Sequence, residues 1–592
     1  MATETIVSPG VLLQEIDKSF ITPGTDPSGL AIIGPAARGP IEIPTEITNY
    51  NSFKEIFGTV IRSGSQAYEY FTNLAVKNYF DNGGASAIVT RVVSGSAGWA
   101  AATNTHLSAS AKDSTQPFTI ETLGKGLNLN NTGLEASEYT GGALKTGSKD
   151  NFRFEIGNIN NAAGTFTVSV RRGDDTSNAP LVLEQFTNCS LDPLSPNYIA
   201  KKIGDQTKVV AAEGTEYVVN SVGEFENKSN FIRVSSVNLP TYQYLAPNGS
   251  VALDSVGVPY SASLPIAQSG SFQNGAGKNV PFGDGLLQTG SYGSDAGNVN
   301  TSGSIQGLSP SDYTKAISIL KNKDEFKFKT LIAPGLNQEI HSTTIDTLIA
   351  NTTERGDSLF IADLTPYGRS VSDVKTESEE LDTNYAASYW PWIQVRSTEL
   401  NRNVFCPAST IIPGVFAKND SIAAPWFAPA GETRGKIGRL GIKVETKLSK
   451  AQRDDLYTSK VNPIATFLDT GLVVFGQKTL QQATSALDRV NVRRLLLDVK
   501  DTIGGFSEKL VFEQNTQQTR DRFVRQATPY LESLVQRQGL YAFQIKMDGQ
   551  LNTSDIIDEN KLIGQVFLQP TKTAEFVVLD FTITPTGASF TD

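Results

Sequence analysis

The chain has 592 residues, which is enough for several domains with large buried cores. Its formal net charge is −10 and it has no cluster of Lys and Arg, which excludes nucleic acid as the main partner, because phosphate binding needs clustered cations. Its two cysteines, Cys189 and Cys406, indicate a protein made in a reducing cytoplasm and held together without disulfides; a bridge between them is the less favoured alternative.

The first 24 residues have the pattern of an arm rather than of a domain. A short apolar stretch with Val11 and Leu13 stands between the turns Ser8-Pro9-Gly10 and Thr22-Pro23-Gly24. One short strand cannot form a sheet alone, so it either folds back as an edge strand of its own domain or adds to a neighbouring chain. The segment lacks the regions of a signal peptide, and no apolar run reaches the ~18 residues of a membrane span, so we expect a soluble protein, cytoplasmic when made, without direct membrane insertion.

Residues 29–93 predict a first unit of strand, helix and strand. An apolar run over residues 29–33 has the length of a buried strand, a helix is predicted over residues 66–80, and a second strand over residues 86–93. This order is typical of an α/β layer. The glycine-rich turns between these elements contain neither a dinucleotide-binding motif nor a P-loop, so we interpret them as turns and expect no cofactor.

The composition shifts to Ser, Thr, Asn and Gly after residue 94. Short alternating strands over residues 152–156 and 165–171 predict a small inserted β domain. Because this domain is polar and rich in turns, we expect it on the outside of any assembly that the protein forms. Residues 270–307, rich in Gly, Ser and Asn, predict a loop with little core of its own.

A second α/β layer is predicted from Ser309-Pro310, a pair typical of a capped helix start. Strands over residues 330–333 and 358–362 flank a helix that ends before Gly356 and is expected to bury Ile345, Leu348 and Ile349. Asp363 then stands at the carboxyl end of a strand, where α/β enzymes place catalytic groups. A lone Asp there more often caps a turn, which is the interpretation we favour.

Other motifs of catalysis and metal binding are missing from the sequence. The two histidines, His106 and His341, have no Cys or carboxylate at ligand spacing, and neither a zinc-protease nor a serine-hydrolase motif occurs. We therefore expect no catalytic residue, no metal and no cofactor. The aromatic run at residues 388–392 predicts core or interface packing, and Cys406 beside Pro407 predicts a buried thiol.

The C-terminal part predicts two helices followed by strands. The first helix is expected to end at Gly504-Gly505, with Arg493 and Arg494 on its polar side, and its apolar side is formed by Val492, Leu495, Leu496, Val499 and Ile503. A second helix, over residues 517–538, is expected to bury Phe523, Ala527, Leu531 and Leu534. Strands follow from Leu540, over residues 563–568 and over residues 574–584. Few residues follow the last strand, so its backbone either joins its own sheet or pairs with another subunit.

Several short segments resemble, in their order and spacing, the tail sheath proteins of contractile-tailed phages. In the C-terminal part they are Gly476-Gln477-Lys478-Thr479-Leu480, Val490-Asn491-Val492-Arg493-Arg494-Leu495, Phe512-Glu513-Gln514-Asn515 and Gln569-Pro570-Thr571-Lys572-Thr573-Ala574-Glu575-Phe576. Residues 184–193 and 195–205 resemble the large sheath proteins of T-even-like myophages. The chain departs from the family pattern at Lys478, where arginine is common, and at Gln514 and Thr573, where proline is common.

The resemblance implies a multidomain α/β fold, mixed with α+β, whose core is assembled from N- and C-terminal parts. An inserted β-rich domain would protrude, and the terminal arms would be exchanged through strands that carry Val11, Leu13, Val577, Leu579 and Phe581. The resulting division is an N-terminal linker arm (1–24), a first part of the α/β sheath core (25–93), an inserted β-rich outer domain (94–183), a second inserted region with the glycine-rich excursion (184–308), an α/β sheath domain (309–475), and a C-terminal sheath domain with its arm (476–592).

The function that the resemblance implies is structural. Sheath proteins of this type form hexameric rings around a tail tube and contract to drive the tube through the host envelope during genome delivery. The expected partners are further copies of the chain, the tail tube protein, and the baseplate and tail terminator proteins, in a virion assembled in the host cytoplasm. Arg493 and Arg494 are candidates for a surface that faces the tube, because contacts between charged side chains can release and slide. A solvated helix face is the alternative for these two residues.

Three other functions remain open from the sequence. The same core would serve the sheath of a contractile secretion machine or of a bacteriocin-like machine. An α/β enzyme using Asp363 is a candidate from a different class. A tail tube or capsid protein is a further alternative, although such proteins are typically shorter and lack this set of segments.

Overall fold

The structure is a computed structural model. It describes residues 29–63, 66–95, 100–104, 107–110, 115–126, 142–144, 146–214, 216–275, 306, 308–438 and 441–575. The predicted arm, with Val11 and Leu13, lies outside the described residues, as do His106 and the last predicted strand with Val577, Leu579 and Phe581.

The strands and helices are numbered in chain order. The strands are β1 (Leu30–Gly34), β2 (Thr45–Ile47), β3 (Val60–Ser63), β4 (Gln66–Glu69), β5 (Ala87–Arg91), β6 (Ala101–Asn104), β7 (Phe118–Lys125), β8 (Phe152–Asn160), β9 (Thr165–Arg172), β10 (Val182–Ser190), β11 (Thr207–Glu213), β12 (Glu216–Val222), β13 (Ile232–Val237), β14 (Gln268–Gln273), β15 (Thr330–Asn337), β16 (Leu359–Asp363), β17 (Ala386–Trp390), β18 (Ile393–Ser397), β19 (Arg402–Cys406), β20 (Lys443–Val444), β21 (Val461–Phe467), β22 (Gly471–Val474), β23 (Leu540–Lys546) and β24 (Gln565–Pro570). The helices are α1 (Tyr50–Phe57), α2 (Phe71–Asp81), α3 (Ile199–Ile203), α4 (Thr314–Ile319), α5 (Gln338–Arg355), α6 (Val371–Glu379), α7 (Ile412–Ile422), α8 (Gly431–Arg434), α9 (Lys450–Thr458), α10 (Val490–Glu508), α11 (Gln517–Gln536) and α12 (Ser554–Asp558).

The two predicted α/β layers form one sheet. Its strand order is β2-β5-β1-β15-β16-β17-β21-β22, with parallel pairing from β5 to β21 and an antiparallel strand at each edge. Strand β1 pairs on one side with β5 and on the other with β15, so the start of the described chain and the part after residue 308 share a core. Strands β1, β5, β16 and β17 are buried on both faces, which explains their largely apolar sequences. The predicted mixed α/β fold is confirmed.

Local signals in the second layer are also confirmed. Ser309 closes a capping box with Asp312. Helix α5 ends at Gly356, which adopts the left-handed conformation with φ 68°, and Ile345 and Leu348 are buried while Ile349 is partly buried against the core. Cys406 and the aromatic run, including Trp390 and Trp392, are buried in the core.

Two local predictions are wrong. Residues 66–69 form strand β4, which pairs with β3 in a hairpin, so the helix predicted to begin at residue 66 begins at Phe71. Helix α10 does not stop at Gly504-Gly505 but continues to Glu508. Neither glycine has positive φ and each would place a Cβ in open space, so nothing there requires a helix end, and their presence costs only about 1 kcal/mol each.

The inserted part forms a separate antiparallel sheet in the order β10-β9-β8-β14-β6-β7-β13. Its core contains Phe118, Phe154, Phe166, Ile232 and Phe272, all fully buried. Strands from both predicted inserted regions take part, and residue 183 lies inside β10. Within the described ranges, no helix is long and apolar enough to cross a bilayer.

Two buried arginines tie this insert to the central sheet. Arg38 donates to the carbonyl of Glu55 at 2.6 Å in the core and to that of Asp150 at 2.8 Å in the insert. Arg91 likewise donates to Gly39 O at 2.8 Å and to Lys125 O at 3.2 Å. Burial lowers the pKa of each guanidinium to about 10, so both remain charged at neutral pH. A charged side chain that satisfies carbonyls on both sides fixes the junction.

We expect Arg38→Leu to lower the free energy of unfolding by about 3 kcal/mol, because the substitution leaves buried carbonyls without a donor. Urea denaturation, together with limited proteolysis between the insert and the core, measures the effect. Arg172→Leu is the matched control, since Arg172 pairs with Asp174 at the surface. Equal losses in the two variants would contradict a joining role for Arg38.

Candidate functional site

The usual ligand position of an open α/β sheet is filled by a side chain of this chain. In such sheets ligands bind at the carboxyl ends of the strands where the strand order reverses, here between β1 and β15. Gln306, fully buried, accepts a hydrogen bond from Phe71 N at 2.9 Å and donates to Pro334 O at 3.2 Å. It thereby connects the start of α2 to β15, and the crevice is part of the protein's own packing.

Asp363 lies at the carboxyl end of β16, as predicted, and is buried. Its carboxylate accepts from the Ser409 hydroxyl at 2.5 Å and from the Ser409 backbone N at 3.2 Å, next to the 3-10 turn Ala408–Thr410. Burial raises the pKa of Asp363 to about 7, although the two hydrogen bonds from Ser409 oppose the rise. These contacts are those of a turn cap.

The described part of the chain gives little support for a catalytic histidine or a metal site. The His341 Nδ1 atom accepts a hydrogen bond from Asn337 N at 3.3 Å, and the side chain is buried. Among the described residues, no group of three or more His, Cys, Asp or Glu side chains is placed to hold a metal ion.

Asp363→Asn should remove a pH dependence of stability. Because the folded-state pKa lies above the ordinary value of 3.8, the stability associated with this carboxyl is fully present below 3.8 and is lost as the pH rises through about 7. Asparagine can accept from Ser409 N through its oxygen and donate to the Ser409 hydroxyl through its amide, as the protonated acid does, and it does not ionise. The variant should therefore melt higher than the parent at about pH 8 and like it at about pH 4. Thermal unfolding across this range tests the expectation.

Asp373→Asn serves as the control for that experiment. Hydrogen bonds from Ser370 lower the pKa of Asp373, so its contribution is present at neutral pH and lost on acidification. Asp373→Asn should therefore lower the melting temperature at neutral pH, whereas Asp363→Asn should raise it above about pH 7. A profile unchanged by Asp363→Asn would show that Asp363 is not a buried, protonated acid.

Helix α10 buries the two arginines that the sequence places on its polar side. Arg493 is 1% exposed, and its guanidinium lies 3.4 Å from the centre of the Tyr385 ring. Arg494 is 9% exposed, lies over Phe416 at 4.5 Å and pairs with Asp420 at 2.5 Å. The predicted polar side is therefore wrong at these positions, because a guanidinium can stack on aromatic rings inside the chain. Their contact with a tube stays a prediction.

Strands β23 and β24 form a two-stranded antiparallel sheet on helices α10 and α11, which bury Leu531, Leu534 and Leu540 between them. Phe523, Ala527, Leu531 and Leu534 are buried as predicted for α11. Within the described residues each of the two strands has one unpaired edge. Tyr541 on β23 is 66% exposed and Phe567 on β24 is 49% exposed. A two-stranded sheet is only marginally stable alone, and its edges accept further strands.

The chain after β24 returns from this small sheet to the central domain. Thr571 still bonds to the small sheet, through its N to Gly539 O at 3.2 Å. Four residues later the Glu575 carboxylate accepts from Arg489 at 2.6 and 3.0 Å, from Tyr457 Oη at 2.8 Å and from Gln477 Nε2 at 3.1 Å. We call Glu575 with Arg489, Tyr457 and Gln477 the tail clamp.

The tail clamp is connected to the central sheet by Asn462, a fully buried residue of β21. Its amide donates to Ser388 O on β17 at 3.0 Å and to Lys478 O at 2.7 Å, and its oxygen accepts from Lys478 N at 2.6 Å. Gln477, next along the chain, also donates to Thr573 Oγ1 at 2.6 Å. A continuous set of hydrogen bonds thus runs from the sheet to the tail.

The electrostatics of the clamp favour an ionised Glu575. Burial alone would raise the pKa of this carboxyl, but the hydrogen bonds from Arg489, Tyr457 and Gln477 outweigh burial and hold the pKa below its usual range. Burial, with Glu575 beside it, raises the pKa of Tyr457, so the phenol remains a donor. A bidentate Arg–carboxylate pair adds geometric specificity to this attraction.

The residues of the clamp were not predictable as a group from the sequence. Gln477 and Glu575 occur in segments that resemble sheath proteins, whereas Arg489 and Tyr457 do not. The available signal was a single acidic residue, Glu575, set before an apolar stretch and close to no basic side chain except Lys572. Such a residue needs a partner from elsewhere in the chain only when it is buried, and the sequence shows neither its burial nor its partner.

Glu575→Ala should release the tail. Trypsin should then cleave after Lys572 about tenfold faster, because loss of a charge-assisted set of hydrogen bonds raises the population of the open tail. The rate is measured by mass spectrometry of timed digests. Glu559→Ala, which removes a surface pair with Lys561, is the control and should leave this cleavage unchanged. Equal cleavage after Lys572 in both variants would contradict the clamp.

Two parts of the chain match families of known proteins. Residues 306–480 match the family model of the phage tail sheath protein central domain, and residues 482–584 match that of the phage tail sheath C-terminal domain. The chain is 33% identical over 228 residues to a tail sheath protein of Vibrio phage KVP40, covering 38% of this chain and 33% of the relative. It is 35% identical over 188 residues to the tail sheath protein of Enterobacteria phage T4, covering 32% and 28%.

In these alignments the chain spans about a third of the length of the curated relatives it matches. Among solved structures, a sheath tail protein of Listeria innocua aligns over 92% of this chain and 96% of its own, with a TM-score of 0.51 and 9% identity. That likeness concerns the fold alone.

Proposed function

We propose that the chain is the structural subunit of a contractile tail sheath, because residues 306–480 and 482–584 match the central and C-terminal domains of phage tail sheath proteins. In this proposal the subunits form hexameric rings around a tail tube and contract to drive the tube through the host envelope. The tube, baseplate and tail terminator proteins are the further partners, in a virion assembled in the host cytoplasm. The observation that carries the proposal is the pair of matches to the sheath central and C-terminal domains. The tail clamp lies beside a two-stranded sheet whose outer edges pair with no described strand, which supports it.

The subunits are joined by exchanged strands. Residues 1–24 and 576–592 lie outside the described part, and each contains an apolar stretch of strand length, with Val11 and Leu13 in one and Val577, Leu579 and Phe581 in the other. The unpaired edges of β23 and β24 are suitable acceptors for such strands from neighbouring copies. Backbone hydrogen bonds would supply affinity and the alternating apolar side chains would supply register.

The tail clamp anchors the start of the exchanged strand to the central sheet. A load applied to residues after Glu575 passes through Arg489 and Gln477 to Asn462 and the central sheet, not only to the small sheet β23–β24. During contraction the arms must hold while the bodies of the subunits rotate and slide. A bidentate ion pair supported by two further donors is suited to that load.

The energy for contraction is stored in subunit interfaces. The assembly has two packings, extended and contracted, and a signal from the baseplate removes the barrier between them, so no nucleotide is consumed. In this scheme Arg493 and Arg494 are proposed to reach the tube in one of the two states. To do so, Arg494 would leave Asp420 and Phe416, a contact that can re-form.

Removal of either arm should abolish polymerisation without unfolding the subunit. We expect chains that begin after residue 24 or end at Glu575 to remain folded monomers, because one exchanged strand is lost while the central sheet and the clamp remain. Negative-stain electron microscopy and sedimentation measure assembly, and circular dichroism measures folding. A chain that lacks only residues 588–592, which follow the predicted strand, is the control and should form tubes. Tubes formed by a chain ending at Glu575 would refute arm exchange.

A further inference from the structure

A cavity of about 920 Å³ lies between the central domain and the small C-terminal sheet. Its walls include Arg453 and Tyr457 of α9, Phe475 and Gln477 after β22, Tyr541 of β23 and the tail from Thr571 to Glu575. Phe475 is 46% exposed and Tyr541 is 66% exposed, so two aromatic side chains are poorly covered within one cavity. A space of this size with aromatic walls is large enough for a peptide segment.

The described chain ends in the wall of this cavity. Glu575 lines it, and the clamp holds that residue in place, so residues 576–592 start at its rim. Residues 576–583 would span about 26 Å if extended, at ~3.3 Å per residue. Val577, Leu579 and Phe581 alternate with Val578 and Asp580. In an extended segment these three apolar side chains share one face, which can pack against exposed aromatic side chains.

The charges of the cavity and of residues 576–592 are also complementary. Residues 576–592 contain Asp580 and Asp592 and no Lys or Arg. The cavity is lined by Arg434, Lys450, Arg453 and Lys572, against Asp454 and the already paired Glu575. An acidic, apolar segment therefore meets a basic, aromatic cavity, and it is tethered there by the chain itself, which makes its effective concentration high.

We propose that residues 576–583 occupy this cavity of their own chain in the free subunit and leave it when the subunit joins an assembly. A strand stored in this way would not pair with other copies prematurely, which is a hazard of every exposed edge strand. The biological meaning of the storage rests on the proposed sheath function. The occupancy itself is a property of the single chain and can be measured on it.

The experiment places a thiol in the wall of the cavity, as Tyr541→Cys. The native thiols Cys189 and Cys406 are fully buried and burial raises the pKa of each to about 12, so their background reaction is slow. Alkylation of the new thiol is compared between the full chain and the chain ending at Glu575. We expect labelling to be about tenfold slower in the full chain, since a segment bound about 90% of the time shields the thiol for that fraction.

Two further variants keep the result interpretable. A full chain carrying Ser at Val577, Leu579 and Phe581 should label as fast as the shortened chain, which separates occupancy from the mere presence of the tail. Leu253→Cys, at a 58% exposed position of the insert, should label equally in all chains and controls for the reagent. Continued protection of the buried Cys189 and Cys406 shows that each chain is folded.

Dilution identifies the source of the segment. Slow labelling that persists in monomeric protein diluted a hundredfold supports occupancy by the same chain. Slow labelling that disappears on dilution overturns the proposal, because the segment then comes from a second copy. Equal rates in the full and shortened chains also overturn it, whether both are fast because the cavity is open or both are slow because residues 1–28 fill it. None of these outcomes depends on tube formation, so the sheath proposal can fail or stand separately.

Discussion

The pairing of β1 with both β5 and β15 is the constraint on which the rest of the structure depends. Strand β1 is fully buried, and its two neighbours come from parts of the chain separated by the whole insert. The insert must therefore leave and return at neighbouring positions of one sheet. Its size and surface can vary without changing the core, because β1 and β15 still meet in the same register.

Arg38 and Arg91 make the exit of the insert rigid. Each guanidinium is buried and satisfies backbone carbonyls on both sides of the junction. A buried charge is costly when it has no partner, so the junction resists opening more than an apolar contact of the same area would. The insert is accordingly a domain held at a defined position on the core.

The other end of the sheet leads to the tail. Strands β17 and β21 are connected through Asn462 to residues 477 and 478, and from there to Glu575. The clamp uses an ion pair with two further hydrogen-bond donors, whereas the sheet itself is held largely by backbone pairing and apolar packing. Directional bonds of this kind hold a segment at one point and in one orientation, whereas apolar burial alone permits sliding. In the proposed assembly, the point at which an arm leaves the subunit needs the first property.

The sequence by itself determined the elements whose signals are local. The apolar run of β1, the capping box at Ser309, the end of α5 at Gly356 and the buried stripe of α11 all depend on residues within a few positions of one another, and each was predictable. The tertiary structure decided the rest. Residues 66–69 are a strand because β3 pairs with them, and Arg493 and Arg494 are buried because aromatic rings from distant segments receive them. The union of two layers in one sheet and the partners of Glu575 likewise depend on residues far apart in the chain, and periodicity and capping carry no information about such contacts.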